Sequence, residues 1–341
     1  MILDQKLEAS DVIVLDGAMG SEIRRYGAPM DSAAWCGVAN KTHPDVVRQV
    51  HEDYIRAGAD VITANTFATC RHVLDGAGLG DETVAINRLT VELAREARDR
   101  VAADRPVAVA GSMSTMVAWV PGTISPDPRY APTADKEAAN FHEMADALAD
   151  AGADLIIMEM MLDLEHAKRA IVAALATGLP VWIGISCTQR QDGRMVGWDV
   201  VAEETASRLV EDQQPRPEVP LETLIDEYMA LGGTVAGIMH SAISSTPPGL
   251  EVLFRRWSGP VMAYPEMLDV NPRDADARGP VSPEDFAGHC RRWVEEGVQI
   301  IGGCCGTTVE HIRRMVDALP DRVGARPSPT GASGGEAGQA L

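Results

Sequence analysis

The strongest constraint on this chain is a rhythm. Eight short apolar runs recur along it, each stopping at glycine, a polar residue or a thiol. They are Val12–Asp16, Val61–Thr66, Val107–Ser112, Leu155–Glu159, Val181–Cys187, Val235–His240, Val261–Tyr264 and Ile300–Cys304. Between them lie segments with helical spacing: Pro44–Ala57, Glu82–Ala103, Lys136–Ala151, Leu164–Ala176, Leu221–Leu231, Pro283–Glu296 and Val309–Leu319. In the first of these, Val46, Val50, Tyr54 and Ala57 fall at i, i+4, i+8 and i+11 and predict one buried stripe. Three helical segments end alike, at Gly58, Gly152 and Gly297, each followed within three residues by the next apolar run. A glycine there takes the left-handed position that closes a helix. Short, continuous Val/Ile-rich runs suit parallel strands covered on both faces. Eight such strands alternating with helices over roughly 310 residues predict a single-domain (β/α)8 barrel of the TIM type, spanning residues 1–321. A doubly wound dinucleotide fold would want G-x-G-x-x-G after the first strand, and Asp16-Gly17-Ala18-Met19-Gly20 does not supply it.

Two segments are too long for ordinary connections, Met113–Thr133 and Thr188–Pro220. In a barrel, long loops at the carboxyl ends of strands cover the active site. Residues 322–341 are rich in Gly, Pro, Ser and Ala and are expected to be a disordered tail. Charge then narrows the partners. Asp and Glu outnumber Lys and Arg by 50 to 30, for a net charge of −20, and no basic run occurs. Nucleic acid and anionic membrane surfaces are therefore not expected as partners. No apolar stretch reaches the ~18 residues of a membrane span, and Met1–Asp11 lacks the apolar core of a secretory signal. Six cysteines without such a signal do not make a disulfide framework, so a cytoplasmic protein with reduced thiols is expected.

Catalytic groups of such barrels gather where strands end. Those ends carry Asp16, Asn65 with Thr66, Ser112, Glu159, Cys187, His240, Tyr264 with Glu266, and Cys304 with Cys305. The most specific element is Gly302-Gly303-Cys304-Cys305-Gly306-Thr307-Thr308. Two adjacent thiolates between flexible glycines can hold one soft cation from a single loop. A third ligand must come from another strand end, and His240 stands at one. Zinc with two thiolates and an imidazole keeps a fourth position open, as catalytic sites do. Cys187 is the competing thiol, better read as a small buried hydrophobe. On the other side, Asp16 is followed by small residues whose backbone N–H groups could receive a carboxylate. With Glu159 it forms a candidate receptor for the ammonium group of an amino acid. Trp35, Trp119, Trp182 and Trp198 are read as core or loop-packing residues.

The runs Leu15-Asp16-Gly17-Ala18-Met19-Gly20-Ser21-Glu22, Ala57 to Phe67, Asp154 to Glu159 and Gly302 to Thr308 together resemble the homocysteine S-methyltransferase family, in that family's order and over about residues 10 to 320. The resemblance implies a zinc-bearing barrel in which zinc holds the homocysteine thiolate for attack on an activated methyl group. Methyl donors in the family include betaine, S-methylmethionine, S-adenosylmethionine and methylcobalamin. It carries amino-acid contacts to Asp16, Gly17, Thr66 and Glu159, and paired thiolate ligands to Cys304 and Cys305. Asn65, Tyr264 and Glu266, at the same strand ends, complete the expected substrate-binding set.

Three departures fall at the active face. Where the family has Asn-Cys after strand six, with the Cys as third zinc ligand, this chain has Met239-His240. Where it usually has Tyr-Pro-Asn after strand seven, this chain has Tyr264-Pro265-Glu266. Met160 replaces the usual Thr after the strand-four Glu. With a bound substrate thiolate, a zinc site of three thiolates carries net −2, and one of an imidazole and two thiolates net −1. Glu266 could supply the missing charge, contact a cationic substrate, or act as a catalytic group.

The expected activity is methyl transfer from an onium-type donor to homocysteine or a similar thiol. Two alternatives stay open. One is a different zinc enzyme using zinc-bound water, with Glu266 as general base. The other is a non-catalytic amino-acid-binding or metal-binding barrel. The expected partners are small molecules, a thiol acceptor and a methyl donor. The oligomeric state is left open, a homo-oligomer included.

Overall fold

The structure, a computed structural model, describes residues 3–102, 104–123, 126–198, 218–267 and 281–326. Eight strands form one parallel sheet: β1 (Ile13–Val14), β2 (Val61–Ala64), β3 (Ala108–Met113), β4 (Leu155–Met161), β5 (Val181–Ile185), β8 (Val235–Met239), β9 (Val261–Tyr264) and β10 (Ile300–Ile301). Their order is β1-β10-β9-β8-β5-β4-β3-β2. A bridge from Leu15 to Val61 and the bond from the Asp16 N–H to the Val61 carbonyl join the two ends. The result is the expected (β/α)8 barrel.

Alternation along the strands divides the apolar residues between two cores. Ile13, Leu15, Ala108, Ala110, Met262 and Tyr264 point inward and fill the barrel with Trp182 and Met239. Val12, Val14, Val107, Val109, Val261 and Ala263 point outward against the helices. Trp182 is thus a barrel-core residue, as read from the sequence. Each large side chain removed from water contributes about 1.5–3 kcal/mol before chain entropy is counted. Helix α1 (Asp4–Ala9) closes the amino-terminal mouth with Leu3, and the Gln299 side-chain amide donates to the carbonyls of Lys6, Leu7 and Asp11.

Three short helices, α2 (Met19–Arg25), α3 (Ala39–Thr42) and α5 (Arg71–Leu74), lie in the connections that follow β1 and β2. The outer helices fall where periodicity put them: α4 (Pro44–Ala57), α6 (Thr83–Val101), α7 (Ala134–Asp150), α8 (His166–Ala176), α9 (Leu221–Met229), α11 (Pro283–Glu295) and α12 (Val309–Ala318). Gly58, Gly152 and Gly297 all have positive φ, as the helix endings require. In the α4 stripe Val50, Tyr54 and Ala57 are buried, but Val47 is the buried valine and Val46 only half-buried. One outer helix has no counterpart in the periodicity, α10 (Thr246–Arg256), which begins Thr246-Pro247-Pro248-Gly249.

Two loop expectations change. Thr188–Pro220 was expected as a plain loop, but it opens with an antiparallel hairpin, β6 (Cys187–Gln189) against β7 (Met195–Gly197). Residues 199–217 of that segment lie outside the described residues. Residues 322–326, expected to belong to a disordered tail, pack against the barrel. Arg322 bridges Asp11, the Val323 and Gly324 N–H groups bond Ser10 and Val294, and Arg326 lies over the Phe254 ring at 5.3 Å. Residues 327–341 lie outside the described residues. No helix among the described residues is long and apolar enough to cross a membrane.

Candidate metal and substrate site

The carboxyl ends of the strands gather two clusters of chemical groups. The first is His240, Cys304 and Cys305, whose ligand atoms all lie within 4.8 Å of one another. The loop carrying the sulfurs is fixed by its backbone. Gly303 N–H donates to the Asp16 carbonyl at 3.0 Å, Cys304 N–H to Pro265 at 2.9 Å, and Met267 N–H to the Cys305 carbonyl at 2.9 Å. Gly303 must be glycine, because a Cβ there would lie 2.2 Å from the Thr307 hydroxyl. His240 is reached from the neighbouring ladder. Met239 on β8 pairs with Tyr264 on β9, and the His240 N–H donates to the Tyr264 carbonyl at 3.1 Å. Its φ of 42° is left-handed, an uncommon conformation for a side-chain-bearing residue and a frequent mark of functional sites.

The donor set fits a tetrahedral zinc ion. Ligands at roughly 2.0–2.1 Å (nitrogen) and 2.3 Å (sulfur) from such an ion stand about 3.5 Å apart for N and S and about 3.8 Å for two sulfurs. His240 Nδ1 is 3.4 Å from the Cys304 sulfur, and the two sulfurs are 3.9 Å apart. The neighbouring Cys305 thiol, then burial, holds the Cys304 thiol well above its ordinary pKa. Two thiolates so placed repel one another, and a divalent cation between them relieves that repulsion.

The second cluster is a pair of carboxyls, Asp16 buried and Glu159 half-buried. Asp16 accepts from the Thr63 N–H at 2.7 Å and from its hydroxyl at 2.9 Å. Glu159 accepts from the Ser112 hydroxyl and faces the Tyr264 hydroxyl. Burial pushes both up to about 7, and in Asp16 the charge of Glu159 adds to that. Glu159 sits where β4 loses register with β5, between Met158 and Met161, and its neighbour Met160 has a φ of 55°. The Met160 N–H meets the Met239 sulfur at 3.1 Å. Two of the residues that depart from the family pattern therefore touch.

The other expected site residues divide. Gly17 lies beside Asp16, and a Cβ there would meet the Tyr54 hydroxyl at 2.7 Å. That hydroxyl bonds the carbonyls of Ala18 and Thr307, tying the first loop to the thiol loop from behind. Tyr264 is buried, with its hydroxyl toward Glu159, and burial keeps it a neutral phenol. Glu266 is buried beside His240, with its Oε2 3.9 Å from the ring Nε2.

Asn65 and Thr66, expected to bind substrate, make side-chain hydrogen bonds to the scaffold. The Asn65 amide donates to the Cys36 carbonyl and to Asn40, and its oxygen accepts from the Cys36 thiol. The Thr66 hydroxyl donates to the Ser112 carbonyl at 2.8 Å and accepts from its N–H at 2.9 Å. Polar groups at strand ends also serve to lock adjacent loops. Cys187 is the buried hydrophobe it was read to be. It packs beside Ser241 and Gly249, with its thiol pushed up to about 12 by burial. Trp35 stacks edge-on with Phe67 and lies 6.3 Å from Trp119 among the loops of the mouth. Sequence reasoning left Ser112 without a role and did not consider Thr63, the two residues that hold the carboxyls. Ser112 was visible as a strand end; nothing in the sequence pointed to Thr63.

The family model for homocysteine S-methyltransferase matches residues 13–319. Curated relatives include a selenocysteine methyltransferase of Astragalus bisulcatus, 26% identical over 94% of this chain and 96% of its own length. Another is the homocysteine S-methyltransferase YbgG of Bacillus subtilis (strain 168), 29% identical over 91% of this chain and 95% of its own length. Among solved structures, the metallated form of the homocysteine methyltransferase MmuM from Escherichia coli superposes with a TM-score of 0.69. It is 22% identical and covers 92% of this chain and 99% of that one, a likeness of fold.

Proposed function

The chain belongs to the homocysteine S-methyltransferase family, and from that premise we propose that it moves a methyl group from an onium-type donor to the thiol of homocysteine or a similar thiol. Betaine, S-methylmethionine, S-adenosylmethionine and related sulfoniums are such donors. His240, Cys304 and Cys305 are the residues that would hold Zn2+. Bound there, zinc lowers the pKa of the acceptor thiol and fixes its sulfur for attack. The convergence of these three ligand groups at one end of the barrel carries the reading.

The remaining work falls to the chain's own groups. Asp16 and Glu159 take the acceptor's ammonium group, which returns both carboxyls to their charged forms. Ser112 and Thr63 hold those carboxyls in place. The backbone around Gly17 stands ready for the acceptor's carboxylate. Together they fix one end of the acceptor and so aim its sulfur, and such positioning lowers the barrier by removing lost motion in advance. The transfer itself forms an S–CH3 bond and breaks the donor's bond to the same methyl. The electron pair returns to the donor's onium atom and the thiol's proton passes to solvent, so no protein nucleophile is required. The test is product analysis of purified protein supplied with homocysteine and each onium donor in turn, with zinc measured in parallel. About one zinc per chain and methionine from at least one donor are expected. Full zinc with no methylated thiol from any donor would overturn the reading.

A further inference from the structure

We propose that Glu266 is a positioning residue for His240, holding the imidazole through Nε2 so that Nδ1 faces the two sulfurs. This rests on the metal reading above and adds the device that makes a histidine workable there. Two backbone bonds lock the pair together. His240 N–H donates to Tyr264, and Glu266 N–H donates to Ser241 at 3.2 Å, so each residue is pinned beside the other's strand end. Both side chains are buried, at 6% and 2% exposure. The two ring nitrogens face opposite demands: Nδ1 stands 3.4 Å from the Cys304 sulfur and Nε2 stands 3.9 Å from a Glu266 oxygen. That second separation is longer than a hydrogen bond, and a small side-chain rotation or one bridging water closes it to one.

The physical need is clear. A neutral imidazole beside two thiolates must carry its remaining proton on the nitrogen away from the metal, and that N–H needs an acceptor. A carboxylate there fixes the tautomer, fixes the ring and raises the basicity of the ligating nitrogen. It also places one negative charge next to a ligand that has none. A thiolate at position 240 would have no proton to donate, and the same carboxylate would then only repel it.

The effect of Glu266 should therefore depend on the residue at 240. Zinc affinity, by chelator competition, and the ligand-field spectrum of the cobalt-substituted protein are measured for wild type, Glu266→Gln, His240→Cys and the double variant. In the wild-type background, Glu266→Gln should weaken zinc binding roughly 10–100-fold and shift the cobalt bands. In the His240→Cys background, the same change should leave affinity unchanged or raise it. Thermal midpoints identify misfolding, and Glu266→Asp, which keeps the charge on a shorter arm, should retain more affinity than the amide. Equal losses in both backgrounds, or no loss in either, would overturn the proposal. If wild type holds zinc but His240→Ala does too, the ligand assignment itself fails, which separates that failure from a failure of the Glu266 role.

Discussion

The two sides of the barrel mouth meet the same problem, holding unfavourable groups ready, by different means. On the carboxyl side, Asp16 and Glu159 are strained electrostatically: burial raises both to about 7, with the charge of Glu159 adding to that in Asp16, while the bonds from Thr63 and Ser112 oppose it only in part. Those bonds run between adjacent strands, so the support is rigid. On the thiol side the strain lies as much in the backbone, with His240 at a φ of 42° and the sulfurs on a loop fixed by backbone bonds to neighbouring loops. On the proposed reading the carboxyls would take a cation that leaves after each turnover, whereas the sulfurs and imidazole would hold one that stays. The difference teaches that one barrel mouth can hold one cluster through bonds between strands and the other through bonds between loops.

Three experiments probe that contrast. The largest effect is expected from Cys304→Ala/Cys305→Ala, which should abolish metal retention and reduce methyl transfer by at least ~10³-fold. Acceptor binding through Asp16 and Glu159 would persist only weakly. Metal analysis alongside turnover checks this, and full zinc content in the double variant would dissolve the two-sided picture. Next comes Asp16→Asn. Losing one charge-assisted contact to the ammonium should cost about 1.5–3 kcal/mol, or roughly 10–100-fold in acceptor affinity, with zinc retained. Unchanged affinity in both Asp16→Asn and Glu159→Gln would show that the acceptor is not held there as an amino acid.

The smallest effect is on stability and concerns the sign of Asp16's contribution. Its folded pKa, about 7, lies above the ordinary 3.8. Between those values the folded chain binds more protons than the unfolded one, so this group's contribution falls as pH rises from about 4 to 7 and is flat above. Asp16→Asn should therefore raise the melting temperature of the acceptor-free protein by a few degrees at pH 8 and by little at pH 4. An equal shift at both pH values would mean that packing, not charge, is responsible. Acceptor affinity of the wild type should move the other way and strengthen as pH rises through 7.

Much of this architecture was legible in the chain. All eight barrel strands and seven outer helices were visible, because a buried parallel strand must be continuously apolar and a surface helix must carry a stripe. The helix Thr246–Arg256 was hidden by its own first turn, where Pro247, Pro248 and Gly249 read as a bend. Proline is tolerated there because the N–H groups of a first turn have no partners to lose. The hairpin at Cys187–Gly197 was hidden because a two-sided loop leaves no periodic signature three residues long.

The candidate site was legible as a set of residues, since the strand ends of a barrel share one face whatever the details. What each one does was not. Asn65 and Glu159 are both polar residues at strand ends, yet one has its amide used on Cys36 and Asn40 while the other is held by Ser112 toward the mouth. The sequence by itself determined the barrel, the paired thiols and the presence of a histidine at the sixth barrel-strand end. Only the tertiary structure decided that Nδ1 of that histidine stands by the Cys304 sulfur, that Glu266 stands at its other nitrogen, and that the charge of Glu159 bears on Asp16. The physical reason is range: apolar periodicity acts along the chain and can be read from it, whereas side-chain contacts join residues as far apart as Tyr54 and Thr307 and exist only once the barrel closes.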